Sequence, residues 1–304
     1  MSLERDLKKS RDYEMDTYLK SLKAMYDNAI TQNGELFDIA AKLTDNFQKI
    51  TEEAILTDSR IIKIFRYSIA PSISQMKFGQ YFGIGSIGTF ENDRLIKGGV
   101  KYSRLKKIAY KIADFTNQNL DLNRFIWIKN GKGDISDQSL AFKYAKGWTC
   151  SISADQNAQT QYRNWRKSKQ ESNILSNLVE LGYIKSSFSG IVSNETDIKI
   201  GEYTNEKRVQ GRTIQKADVI VRSKKTQKIV LIEAKAVGVE IDSTKRIKEC
   251  CDKANDWKSA PSLNEPLVAS VIAGFFNKTG INNLEASNIS VIWEHRISDL
   301  KEFL

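Results

Sequence analysis

The sequence predicts an α/β fold, with a largely helical N-terminal half followed by a mixed sheet core flanked by helices. Three observations predict it. Apolar residues of the first half recur at helical spacing. Four short apolar segments of β type follow in the second half, with helical stretches between and around them. Only three prolines, Pro71, Pro261 and Pro266, interrupt 304 residues. Strands alternating with helices indicate a sheet with crossover connections, and scarce proline leaves room for long helices.

Leu19, Leu22, Met25, Tyr26 and Ala29 fall on one helical face, and Ile39, Leu43, Phe47 and Ile50 on another, so the chain reads as helical up to Pro71. Gly79 to Gly99 is glycine-rich and reads as loop. Tyr102, Leu105, Ile108, Ala109 and Ile112 resume helical spacing. Gln156 to Gln170 is polar and basic, with Tyr162 and Trp165 embedded, and a boundary is expected there. That divides the chain into residues 1–160, a helical region, and 161–304, a sheet-containing domain. Glu171 to Leu181 reads as a short helix with Ile174, Leu175, Leu178 and Leu181 on one side, stopped by Gly182. Strands are expected over Lys216–Arg222, Lys228–Ala236, Leu267–Ala273 and Ile289–Trp293, with a helix over Thr244–Lys258. The chain has no internal repeat and no low-complexity segment.

A composition of 40% hydrophobic and 28% charged residues suits a packed globular core. The net charge of +10, from 47 basic and 37 acidic residues, favours polyanionic partners, nucleic acid or anionic membrane. Most of the excess lies between Arg94 and Lys146, where twelve basic residues, Lys132 among them, face four acidic ones, Asp114, Asp121, Asp134 and Asp137. This run, with Lys101, Arg104, Lys106 and Lys107 at its centre, is the expected region of contact with a polyanion such as nucleic acid; a solvated set of helix faces is the alternative. Three cysteines (Cys150, Cys250, Cys251) and one histidine (His295) support neither a disulfide framework nor a Cys/His zinc cluster. Apolar runs such as Ile229–Ile232 fall far short of the roughly 20 residues of a membrane span. The charged start, Met1 to Asp6, lacks the apolar core of a signal peptide, so a cytoplasmic protein without membrane association is expected.

The chemistry-bearing stretch runs from Lys216 to Lys235. Val219–Val221 and Ile229–Ile232 flank a polar turn, Ser223 to Lys228. Centring that turn on Lys225 and Thr226 pairs Arg222 with Ile229, Ile220 with Leu231 and Asp218 with Glu233. Opposed residues hold their Cβ atoms roughly 5 Å apart. Alternation along the strand puts Lys235 on the side of Glu233. Two carboxylates at the end of strands apolar on both faces repel and lose solvation, a conflict that a divalent metal removes. Mg2+ suits such oxygen ligands and can polarise a phosphodiester and activate a water. Lys235 can hold the attacking water or help deprotonate it, and stabilise charge at phosphorus. The alternative is an ordinary ion-paired hairpin end at the surface.

Ala217-Asp218, followed by Glu233-Ala234-Lys235, resembles the PD-(D/E)xK nuclease superfamily, with alanine in place of the motif's proline. The resemblance implies a restriction-endonuclease-like fold, with the Ala234 carbonyl as a further metal ligand beside Asp218 and Glu233. It also implies a further glutamate on the preceding helix, and Glu171 is placed for that role; a first-turn glutamate favoured by the helix dipole is the alternative. The residues Lys216-Ala217-Asp218-Val219-Ile220-Val221-Arg222 and Ile232-Glu233-Ala234-Lys235 resemble more narrowly the XamI-type type II restriction endonucleases. So do Ser243-Thr244-Lys245-Arg246, Trp257, Val271-Ile272-Ala273-Gly274-Phe275-Phe276 and Trp293-Glu294-His295, with a weaker echo at Ala70-Pro71-Ser72-Ile73-Ser74. That family implies Mg2+-dependent cleavage of double-stranded DNA at a short specific site, and a companion DNA methyltransferase that protects the host. Cutting both strands needs two sites, so a homodimer is expected by symmetry.

Arg208, Arg212 and Lys216, just before Asp218, are candidate DNA-backbone contacts, with a solvated loop as the alternative. Gly83-Ile84-Gly85-Ser86-Ile87-Gly88 matches a dinucleotide fingerprint in letters, but no acidic residue follows at the needed distance of about 20 positions. His295 is lone and reads as structural. Two further functions stay open: a repair or structure-directed nuclease on the same core, and a non-catalytic DNA-binding protein.

Overall fold

The computed structural model describes residues 2–129 and 139–304; Lys132, Asp134 and Asp137 of the basic run lie outside these. The chain packs as two units, one of Leu22–Gln161 and one of Met1–Ser21 with Tyr162–Leu304. Two long helices contribute to both, α1 (Leu3–Leu43) and α9 (Leu140–Glu180).

Between these, among the described residues, lie seven shorter helices of the first unit: α2 (Glu52–Thr57), α3 (Ile61–Ser68), α4 (Gln75–Tyr81), α5 (Gly88–Glu91), α6 (Val100–Lys106), α7 (Ala109–Asn119) and α8 (Ile126–Lys129). Thr51 caps α2 by accepting the Ala54 N–H, and Ser74 caps α4 by accepting that of Lys77. The core is aromatic: Phe47 lies 5.0 Å from Phe37 and 4.7 Å from Phe125, ring centre to ring centre. The periodicity through Phe47 and Ile50 predicted continued helix, but α1 stops at Leu43. Asp45, Asn46 and Phe47 take left-handed backbone angles, and the Thr44 hydroxyl both donates to the Ala40 carbonyl and accepts the Phe47 N–H. That turn drives Phe47 into the core. The glycine-rich stretch is not all loop, since α4 and α5 fall inside it. Gly79 is required there, because a Cβ would stand 2.8 Å from the backbone of Ser86 and Ile87. The Gly83–Gly88 motif follows helix α4 rather than a strand, which removes the dinucleotide reading.

The second unit holds a six-stranded mixed sheet in sequential order: β1 (Ile184–Lys185), β2 (Glu202–Gln210), β3 (Ile214–Arg222), β4 (Ile229–Val237), β5 (Leu267–Gly274) and β6 (Ser290–Trp293). β2–β3 and β3–β4 pair antiparallel; β1–β2, β4–β5 and β5–β6 pair parallel. The parallel pair β4–β5 is bridged by α10 (Glu240–Lys258) and β5–β6 by α11 (Lys278–Ala286), as parallel connections demand. Central strand β4 buries both faces. Ile229, Leu231 and Val237 pack with Ile247 and Trp257 of α10 on one side. Val230, Ile232 and Ala234 pack with Ile174 and Leu178 of α9 on the other, where Leu300 of α12 (Leu300–Phe303) also lies. The four strands read from the sequence are all present. β2 went unread because Glu202–Gln210 is polar, with no apolar alternation to reveal it.

Two expectations change. The polar stretch Gln156–Gln170, where a boundary is expected, is the middle of α9, which runs unbroken to Glu180 and ends at Gly182, φ +76°, and the two packing units divide within it after Gln161. Glu171 is therefore mid-helix, and the first-turn dipole account of it falls. The N-terminal segment packs with the sheet: Leu3 and Leu7 join the α10-side core, and the Ser10 hydroxyl accepts the Gly274 N–H at 2.8 Å. Among the described residues no helix is long and apolar enough to cross a membrane.

Candidate active site

The β3–β4 register is the one the turn chemistry predicted, with Arg222 opposite Ile229, Ile220 opposite Leu231 and Val219 opposite Ile232. The regular ladder stops at Val219. Asp218 and Glu233 hold the next register position without being a ladder pair. Residues two apart in a strand share a face, yet Ala217 packs into the α10-side core and Val219 into the α9-side core, so β3 is twisted at Asp218. On the neighbouring strand, Glu206 lies opposite Asp218, between the pairs Asn205–Val219 and Lys207–Ala217, with a left-handed φ of +57°. Ala234 closes the gap: its N–H donates to Asp218 Oδ2 at 2.9 Å.

The distortion decides which charges meet. Asp218, 8% exposed, joins Glu171 of α9 and Glu206 of β2, each offering a carboxylate oxygen within 4.8 Å of the others. Lys167, one turn before Glu171, has its ammonium 3.3 Å from Glu171 and 3.4 Å from Glu206. Lys216 also pairs with Glu206. Burial pushes the Glu171 carboxyl above its ordinary range, and the charge of Asp218 adds to that against the opposing Lys167. Lys167 rises too: burial works against its charge, but Glu171, Asp218 and Glu206 outweigh it. Oε1 of Glu171 is buried, with the Lys167 ammonium 3.3 Å away. Three carboxylates whose oxygens lie within 4.8 Å of one another form a set that fits a hard divalent cation.

Glu233 is wholly buried and lies outside that carboxylate group. Its Oε2 accepts from Lys235 at 2.6 Å and its Oε1 from Lys253 of α10 at 2.9 Å. Burial opposes charge on Lys235, but Glu233, and to a smaller extent Asp218, hold its pKa above the ordinary lysine value. The burial of Glu233 removes the alternative of an ion-paired hairpin end at the surface. The sequence pointed to Asp218, Glu171, Glu233 and Lys235. It did not point to Glu206, on the unread strand, or to Lys167 and Lys253, whose spacing on their helices matches no motif.

Among the candidate DNA contacts, Lys101, Arg104, Lys106, Lys107, Arg208 and Arg212 are exposed, and Lys216 is exposed but paired with Glu206. His295 stands 3.3 Å from Asp6 within the N-terminal contact, a structural pairing.

Comparison with known proteins gives the family. Residues 45–293 match the family described as XamI restriction endonuclease, which bears out the resemblance read from the motif residues. The chain is 26% identical over 275 residues to the type II restriction enzyme SalI of Streptomyces albus G, covering 86% of this chain and 84% of that protein. A solved structure, protein VC1899 from Vibrio cholerae, aligns over 92% of this chain at 10% identity with a TM-score of 0.30. This chain spans 55% of that protein's length.

Proposed function

This chain belongs to the XamI restriction endonuclease family and is a type II restriction endonuclease, and from that premise we propose that it hydrolyses phosphodiester bonds of double-stranded DNA at a short specific site with Mg2+. The observation that carries the reading is the hydrogen bond from the Ala234 N–H to Asp218, which ties the two halves of the motif together beside Glu171. Asp218 and Glu233, with the Ala234 carbonyl, would hold the ion, Glu233 exchanging its bond to Lys235 for it, and Glu171 and Glu206 are the further carboxylates beside Asp218. Bound there, Mg2+ supplies a Lewis acid that polarises the phosphate and lowers the pKa of a water. Lys235 orients the attacking water and offsets negative charge growing on the phosphate oxygens. The water oxygen bonds to phosphorus and gives up a proton to solvent as the bond to the leaving sugar oxygen breaks and that oxygen takes a proton from solvent, leaving one phosphate end and one hydroxyl end.

Two copies of the chain, related by a two-fold axis, would cut the two strands. A methyltransferase of the same specificity would protect host DNA. In this reading residues 1–160 contribute backbone contacts through Lys101, Arg104, Lys106 and Lys107. The catalytic region, 161–304, contributes them through Arg208, Arg212 and Lys216. Arg212→Ala is expected to weaken DNA binding and to lower its salt dependence by about one unit of log K against log salt, measured by titration at several salt concentrations. An unchanged slope means Arg212 meets no phosphate.

The test is incubation with plasmid and phage DNA in Mg2+ or in EDTA. Discrete fragments that need Mg2+ support the proposal. A smear replaces it with a non-specific or structure-directed nuclease, and binding of varied unmethylated DNA without cleavage replaces it with a DNA-binding protein.

A further inference from the structure

The β3–β4 ladder stops one position short of Asp218 and Glu233, so backbone pairing does not set the spacing of the two motif halves. Two bonds span the gap. One is the Ala234 N–H to Asp218. The other is Lys253, whose ammonium donates to Glu233 Oε1 at 2.9 Å and to the Lys216 carbonyl at 2.7 Å. Lys216 is two residues before Asp218, so one ammonium grips both strands of the motif. The helix that carries it is itself fastened to the start of β3: Asp256, one turn on, accepts the Thr213 N–H at 3.0 Å and its hydroxyl at 3.1 Å. The Lys253 ammonium also lies 5.7 Å from the centre of the Trp257 ring, which is fully buried.

We infer that Lys253 is a positioning residue for the cleavage reaction, holding the Glu233 carboxylate at a set distance from the Asp218 strand. The inference rests on the proposed nuclease reading. A lysine suits the task because its three N–H donors can serve a carboxylate and a carbonyl at once, while its charge balances a buried anion. Lys235 neutralises Glu233 from its own strand and cannot set the spacing between strands. Lys253 reaches from a separate element and does.

The test compares wild type, Lys253→Met and Lys253→Arg in kcat and KM for DNA cleavage at saturating Mg2+. It also follows DNA affinity in EDTA and amide hydrogen exchange over residues 216–236 in the metal-free protein. Lys253→Met keeps the stem and loses the donors. It is expected to lower kcat about 10–100-fold, leave KM and DNA affinity unchanged, and speed exchange in the hairpin. Lys253→Arg, with donors for both oxygens, is expected to recover most of kcat and of the exchange protection. If Lys253→Met does not fold, Lys253→Leu takes its place with the same expected loss. A folded Lys253→Met or Lys253→Leu with wild-type kcat and exchange overturns the positioning role while leaving the nuclease reading intact. So does a kcat loss that arginine does not rescue and that tracks the loss of folded protein by near-ultraviolet circular dichroism. A wild-type protein that leaves all DNA uncut in Mg2+ overturns both.

Discussion

Asp218→Asn is expected to lower Mg2+-dependent DNA cleavage by about 10³-fold, the rate equivalent of roughly 4 kcal/mol of lost transition-state stabilisation. The fold should survive, because the asparagine amide oxygen still accepts the Ala234 N–H that Asp218 accepts now. Only the charge goes, from a position where Glu171 and Glu206 crowd it, and a neutral amide oxygen holds a hard divalent cation more weakly than a carboxylate does. DNA affinity measured in EDTA should stay at the wild-type level, or improve slightly as one negative charge leaves the phosphate path. Single-turnover cleavage at saturating Mg2+ reads the effect. A rate within tenfold of wild type would remove Asp218 from the metal set and shift attention to Glu171 and Glu206.

Arg166→Met should reduce stability more than any surface change, by about 3–5 kcal/mol. Arg166 donates to Glu14 at 2.8 Å and to Glu294 at 2.6 Å, with all three side chains at most 4% exposed. Tyr162 donates to Glu14 at 2.8 Å and Asn173 to Glu294 at 2.9 Å, so the network joins the N-terminal segment, α9 and the end of β6. Burial works against the arginine's charge, but the two carboxylates outweigh it and hold its pKa above the ordinary value. Without it, two buried anions face each other with no cation. At roughly 2–4 °C per kcal/mol for a unit of this size, the melting temperature should fall by about 10 °C, read by calorimetry. Adding Glu14→Gln and Glu294→Gln to Arg166→Met should recover much of the loss, since the cost lies in the unpaired charges and not in lost volume. No fall in the single variant would mean that water reaches the site. The network also bears on catalysis: α9 carries Gln170, which donates to the Val271 carbonyl at 3.1 Å, and Glu171 beside it.

The hairpin shows where sequence reading succeeds. A polar turn between two apolar runs sets its register locally, so the pairing of Ile220 with Leu231 follows from turn length and alternation alone. The same holds for the helical periodicity up to Leu43, the buried character of β4 and the Gly182 stop of α9. The motif residues carried the family, and they sit on neighbouring strands as the spacing required. Local pattern does not encode what a distant segment brings. Glu206 reaches the site on a polar strand that only its partners β1 and β3 hold in extended form. Lys253 reaches it because α10 lies against β4, and Lys167 because α9 continues through a stretch whose composition resembles a linker. The side on which Asp218 presents its carboxylate was also hidden, since perfect alternation puts it with Glu233. A twist in β3 opposite the left-handed Glu206 puts it with Glu171 instead. Periodicity and turn chemistry act over a few residues and are written into the chain. The meeting of charges from five separate elements depends on long-range packing, which settles each carboxylate's neighbours only once the sheet and its helices have closed around them.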